Sequence, residues 1–114
     1  MPVYHIVLFR LKPGVTQAQL ANWGAVAESM VGRIPGLISL KAGQPLPISV
    51  PRAKGFDMGL VAVMESPEAV ASYATHPVHL EFVSATRPLL LVTCVLELAN
   101  EGLQGVETER GVVR

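Results

Sequence analysis

The sequence predicts an α+β fold of order βαββαβ, with four antiparallel strands in one sheet and the helices on one of its faces. Three observations carry this. Stretches rich in aliphatic, β-branched and aromatic residues recur four times, bounded by glycine, proline or polar turns. Two helical stretches with clear start signals separate the first strand from the second and the third from the fourth. The chain has 114 residues, half of them apolar and only 16% charged; that suits one domain with a well-filled core.

Residues 3–12 read as the first strand, closed by Pro13-Gly14. Val3, His5, Val7, Phe9 and Leu11 share one face; Tyr4, Ile6, Leu8, Arg10 and Lys12 share the other. Both faces are largely apolar, so both are expected to be covered. Thr16-Gln17-Ala18-Gln19 is a capping box. The helix it opens is expected to run to about Arg33, with Leu20, Trp23, Ala27, Met30, Val31 and Ile34 as its apolar stripe and Pro35-Gly36 as its stop. Leu37–Ala42 reads as a short strand with Ile38, Leu40 and Ala42 on one side. Residues 43–55, with three prolines and the basic Arg52 and Lys54, read as a mobile loop of the kind that serves as a lid or a partner contact.

Phe56–Glu65 is the third strand, with Phe56, Met58, Leu60, Ala62 and Met64 on one face. Ser66-Pro67-Glu68 starts a helix: an N-cap serine, a proline in the first turn and an acid beside it. That helix reaches Thr75, breaks at His76-Pro77 and resumes from Val78 to Thr86. Leu89–Leu98 is the fourth strand, apolar on both faces apart from Thr93 and Glu97. The domain is expected to span residues 1–99, with 100–114 a flexible, glycine-rich and polar tail.

The stretch Tyr73-Ala74-Thr75-His76-Pro77-Val78-His79 holds two of the three histidines and one of the two tyrosines. Pro77 cannot donate a backbone hydrogen bond and disfavours helix at the residue before it. Across that break the rings of Tyr73 and His79 can converge. A histidine exchanges protons near neutral pH, and a phenol beside it can donate to a developing oxyanion. The competing reading makes Pro77 a helix-start proline, His76 a cap and His79 a packed core residue.

Composition excludes several classes. Net charge is zero and no basic stripe exists, which argues against nucleic acid as a partner. Cys94 is the single cysteine and sits in an apolar run, so an internal disulfide is impossible. The longest apolar run, Leu89–Leu96, is too short to span a membrane, and the first residues lack the pattern of a signal peptide. A cytoplasmic protein is expected. Three histidines with no carboxylate at ligand spacing make a poor metal site, and none is assigned.

The order βαββαβ is the ferredoxin-like arrangement. Its helix-free sheet face is apolar on the first, third and fourth strands, and a second copy of the same sheet is the natural cover. A homodimer forming an α+β barrel is therefore expected. The chain also resembles the stress-responsive A/B barrel (Dabb) domain family, over nearly all of residues 3–98. The marks are Val3–Lys12, Ile34-Pro35-Gly36, Glu65–Val70 and, most specific, Tyr73-x-x-His76-Pro77-x-His79.

The resemblance implies a homodimer with a cleft between sheet and helices in each subunit. Family members similar to olivetolic acid cyclase close a polyketide by an intramolecular aldol reaction, without metal or organic cofactor. By this resemblance His79, Tyr73 and His5 are the expected catalytic residues, with His79 as base. Val7, Phe9, Trp23, His76 and Glu97 are the expected substrate-binding set, and Glu97 is expected to fix the His79 tautomer. Pro88, Leu89, Gly24 and Ala27 replace bulkier pocket residues of those cyclases, so the pocket differs in shape. Two functions follow: a cofactor-independent cyclase or lyase acting on a polyketide-like or small aromatic substrate, or a non-catalytic, stress-related dimer that binds a small apolar ligand. A small monooxygenase is a third, resting on fold alone.

Overall fold

The computed structural model describes residues 1–99. The chain runs β1 (Val3–Leu11), α1 (Gln17–Ser29), β2 (Leu37–Gly43), β3 (Met58–Met64), α2 (Pro67–Thr75), α3 (Pro77–Thr86) and β4 (Leu90–Ala99), with single 3-10 turns at Val50–Arg52 and Arg87–Leu89. The strands form one sheet in the order β2-β3-β1-β4, every neighbouring pair antiparallel. This is the ferredoxin-like α+β fold read from the sequence. The expected tail, 100–114, lies outside the described residues. Among those residues no helix is long and apolar enough to cross a membrane.

The core lies between the sheet and the helices. Val3, Val7 and Phe9 from β1, Leu40 from β2, and Met58, Leu60, Ala62 and Met64 from β3 are all buried. Leu20, Trp23 and Ala27 of α1, with Met30 and Ile34 just beyond it, close over them with Tyr73 and Phe82. Trp23 packs edge-on against Phe9 and tilts against Phe82. Its indole N–H donates to Thr86 Oγ1 at 2.8 Å, and the Thr86 hydroxyl donates onward to the Phe82 carbonyl at 2.6 Å. A buried indole N–H left without that acceptor costs about 1–3 kcal/mol, so the bond ties α1 to α3.

Two local expectations are corrected. α1 stops at Ser29 rather than near Arg33, because Gly32 takes a left-handed conformation (φ 88°) and the last turn unwinds. Met30 and Ile34 stay in the core, but Val31 turns to solvent. In β2 a register shift between Leu37 and Ser39 inserts an extra residue. Leu37 and Leu40 are therefore the buried pair, and Ile38 faces out. The 43–55 segment carries a 3-10 turn, Arg10 donates to the Lys54 carbonyl at 2.6 Å, and the Arg10 guanidinium lies over the Phe56 ring.

The face of the sheet away from the helices is uncovered. Leu8, Val61, Val92, Leu96 and Leu98 are exposed there, with Leu96 retaining 53% of its accessible surface. β4 is an edge strand, exposed on both faces from Leu91 to Ala99. The helices stop short of it, which leaves an opening between β4, β1 and the α2–α3 pair.

Gly36 sets the position of α2. It has φ 86°, and a Cβ there would lie 2.8 Å from Ala69 Cβ on that helix. Its carbonyl also accepts from Glu65 N–H at 2.9 Å. Gly36→Ala should lower the free energy of unfolding by about 1–3 kcal/mol through backbone strain and displacement of α2. Urea denaturation checks this; an unchanged midpoint would contradict the packing described.

Candidate functional site

The site grows out of the break at Pro77. Pro77 has no N–H for the Tyr73 carbonyl, which accepts instead from His76 N–H at 3.2 Å. His76 is extended (ψ 136°) and caps α3: its Nδ1 accepts from Val78 N–H at 3.1 Å. In an unbroken helix that N–H would have bonded the Ala74 carbonyl. The carbonyl is thereby freed and takes His79 Nδ1 at 3.2 Å.

A carbonyl can only accept, so His79 carries a proton on Nδ1, and in the neutral ring Nε2 is the unprotonated nitrogen. Burial pushes the His79 pKa below its usual value, the Ala74 hydrogen bond opposes this, and the neighbouring His5 adds to the lowering. Placement in the first turn of α3, at the positive end of the helix dipole, also disfavours the imidazolium.

Tyr73 leaves α2 at its last turn, and its ring stacks on His79, centroids 4.1 Å apart. His5 comes from β1 and meets the other side of Tyr73 at 5.3 Å, edge-on. Tyr73 is almost wholly buried, and burial together with the charge of Glu97 pushes its pKa up to about 12. The phenol is thus a hydrogen-bond donor at any physiological pH. No hydrogen bond to its hydroxyl occurs among the described residues, and no fully enclosed side-chain polar atom lacks a partner, so the hydroxyl opens on the cleft.

The cleft has a volume of about 280 Å³. His5, Tyr73 and His79 line it with Val7, Phe9, Leu60, Phe82, Val83, Leu90 and Val95, and with Thr86, Arg87 and Thr93. An apolar pocket with a few convergent polar groups is the usual form of a small-molecule site. A larger cavity of about 480 Å³ lies elsewhere, on the uncovered sheet face beside the 43–55 segment. Lys41 is the one ionisable residue lining it, so it has no pair of convergent acid–base groups like that of the cleft.

The sequence-predicted residues divide. His79, Tyr73, His5, Val7 and Phe9 come together as expected. Trp23 does not line the cleft; it stands behind Phe9 and Phe82, its N–H spent on Thr86. His76 is a helix cap with Nδ1 engaged, not a cleft residue. Glu97 does not touch His79. It pairs with His5 Nδ1, its directly opposed neighbour across β1 and β4. The partner of His79 Nδ1 is therefore the Ala74 carbonyl, and Glu97 instead orients His5. Sequence reasoning missed Phe82, Val95 and Arg87. Phe82 follows His79 by three residues on the same helical face, and Val95 is the register partner of Val7, so both were in reach of a pattern argument. Among the described residues no cluster of three or more His, Cys, Asp or Glu side chains is placed to hold a metal ion.

Comparison with solved structures places this architecture among known proteins. The hydroxynitrile lyase of Passiflora edulis is 27% identical, with 88% of this chain and 94% of that one covered and a TM-score of 0.77. A dimeric ferredoxin-like protein of unknown function from Thermobifida fusca is 25% identical, covering 87% and 91%, TM-score 0.74. A protein from Arabidopsis thaliana, 24% identical over 90% and 98%, has the same fold with a TM-score of 0.81. Comparison with curated proteins gives no match. The stress responsive A/B barrel domain profile matches residues 3–100, nearly the whole chain. The chain belongs to the stress responsive A/B barrel domain (Dabb) family.

Proposed function

We propose that the protein is a cofactor-independent lyase or cyclase that makes or breaks a carbon–carbon bond beside a carbonyl group by His/Tyr acid–base chemistry. The observation that carries this is the His79 arrangement: Nδ1–H fixed by the Ala74 carbonyl, Nε2 free, and a protonated phenol 4.1 Å away between ring centres. A cleft of about 280 Å³ suits a small aromatic or folded polyketide-like substrate. The hydroxynitrile lyase among the structural relatives lends support to a lyase.

In the condensing direction His79 Nε2 takes a proton from the carbon next to a carbonyl. The electron pair moves to the carbonyl oxygen, which accepts a hydrogen bond from the Tyr73 hydroxyl. The enolate carbon attacks a second carbonyl, and the alkoxide formed recovers the proton from His79. In the cleaving direction His79 takes the hydroxyl proton, the carbon–carbon bond breaks, and the carbanion or cyanide leaving group is protonated from His79. His5, held by Glu97, orients the substrate oxygen.

The same reading includes a homodimer joined through the uncovered sheet face. Leu8, Val61, Val92, Leu96 and Leu98 there form an apolar patch larger than single scattered residues, and dimeric proteins occur among the structural relatives. The 43–55 segment flanks that face rather than the cleft, which favours a partner contact over a lid. The cytoplasm remains the expected compartment; the one cysteine, Cys94, is a free thiol opposite Leu8 on the sheet face given to the dimer, which suits reducing conditions.

Sedimentation equilibrium at micromolar concentration should give twice the chain mass, and Leu96→Asp should shift it to monomer or unfold the protein. A folded wild-type monomer would contradict the dimer.

Assays of mandelonitrile cleavage and of β-polyketone cyclisation test the chemistry. His79→Ala should lower turnover ~10²–10⁴-fold, the range for loss of a general base. Tyr73→Phe should lower it less, with folding intact. Turnover unchanged in His79→Ala would overturn the base assignment; no turnover by wild type, with His variants changing stability alone, would favour the non-catalytic ligand-binding dimer.

The pH profile has a definite sign. The base works when neutral, and its folded pKa is below the ordinary 6.5. kcat/KM should be level through neutral pH and fall only below 6.5, while loss of the Tyr73 proton enters near pH 12. Stability follows the same direction: the unfolded chain protonates His79 first, so its contribution fades as pH drops from 6.5. An acid limb above 6.5 would contradict the site as described.

A further inference from the structure

The cleft has two polar ends. His5, Tyr73 and His79 mark one. The other is marked by Thr93, which pairs with Phe9, and by Arg87 in the turn that leads into β4, whose Leu90 pairs with Leu11. Between them the lining is apolar. Thr86 belongs to the same end, but its hydroxyl is already spent between Trp23 and the Phe82 carbonyl.

Arg87 is the one Lys or Arg among the described residues that line the cleft. It is exposed, and no carboxylate among the described residues lies within ion-pair distance of it. The carboxylate nearest the reacting end, Glu97, is committed to His5. A guanidinium offers a planar fork that matches a carboxylate with two parallel hydrogen bonds.

We propose that Arg87 anchors an anionic group of the substrate, so that the protein takes oxo-carboxylic acids whose reacting carbonyl and carboxylate sit at opposite ends of an apolar chain or ring. The inference rests on the acid–base reading for which end reacts. The register fixes the spacing. At ~3.4 Å per residue the levels of His5 and Leu11 are roughly 20 Å apart; an arginine reaching back ~7 Å from the Leu11 end and a contact of ~3 Å at the reacting end leave about 10 Å for the substrate. That matches a carbonyl and a carboxylate separated by about seven methylene groups, or by an aromatic ring with short arms.

Calorimetric titration of the full chain with 9-oxodecanoate and with its methyl ester tests this, alongside the ¹H–¹⁵N signals of the His79 ring. The acid should bind about tenfold more tightly than the ester, the size of one charge-assisted contact. Arg87→Met should erase that preference, Arg87→Lys should keep part of it, and His79→Ala should leave it in place. Equal binding of acid and ester, no binding of either at millimolar concentration, or equal weakening of both by Arg87→Met overturns the anchor. The two readings separate cleanly. An Arg87-dependent acid preference without any response at His79 keeps the anion site and sinks the acid–base chemistry; a His79 response without acid preference does the reverse.

Discussion

The site depends on the interruption of one helix by Pro77. On an unbroken helix Tyr73 and His79 would point about 120° apart and stand about 9 Å apart along the axis. The proline turns the chain, and the two rings come to 4.1 Å. It also releases the Ala74 carbonyl, which an intact helix would have saturated, and His79 satisfies it. The break and the His76 cap together therefore bring the His79 imidazole to the phenol, engage its Nδ1 with the Ala74 carbonyl and leave Nε2 without a bond to the protein among the described residues. The His76 side chain completes the break by capping α3, so that the Val78 N–H at the new helix start has an acceptor.

The sheet divides its two faces between different tasks. The face toward the helices holds the core at β1, β2 and β3, and gives way to the cleft where the helices fail to reach β4. His5 and Glu97 lie across that boundary, one on β1 and the other on the edge strand, so a strand pairing directly positions a polar pair of the site. The opposite face carries aliphatic side chains with nothing over them. A chain so poor in charge leaves little polar surface to spare, and a second sheet packed there would supply what the single chain lacks.

Much of this was legible because the signals are local. Strand alternation, the capping box at Thr16 and the serine–proline start at Ser66 placed the elements, and the order of elements placed the sheet. The Pro77 break placed Tyr73 beside His79. What the sequence concealed depends on register and on competition among partners. Glu97 was assigned to His79, but the register of β1 against β4 sets it opposite His5. Trp23 was placed in the pocket by resemblance, whereas its N–H is held by Thr86, 63 residues away, and its ring backs the cleft wall. Alternation puts Ile38 on one side with Leu40 and Ala42, because the inserted residue in β2 carries no marker such as glycine or proline. His76 was read both as a cap and as a binding residue, and the extended conformation before a proline made it a cap.

The claim on which the account turns is that His79 is a neutral imidazole protonated on Nδ1. Nitrogen-15 NMR of the histidine side chains across a pH titration reads both properties at once. The Nδ1–H tautomer at neutral pH and a titration midpoint below 6.5 are expected. An Nε2–H tautomer, or a midpoint above 6.5, would contradict it.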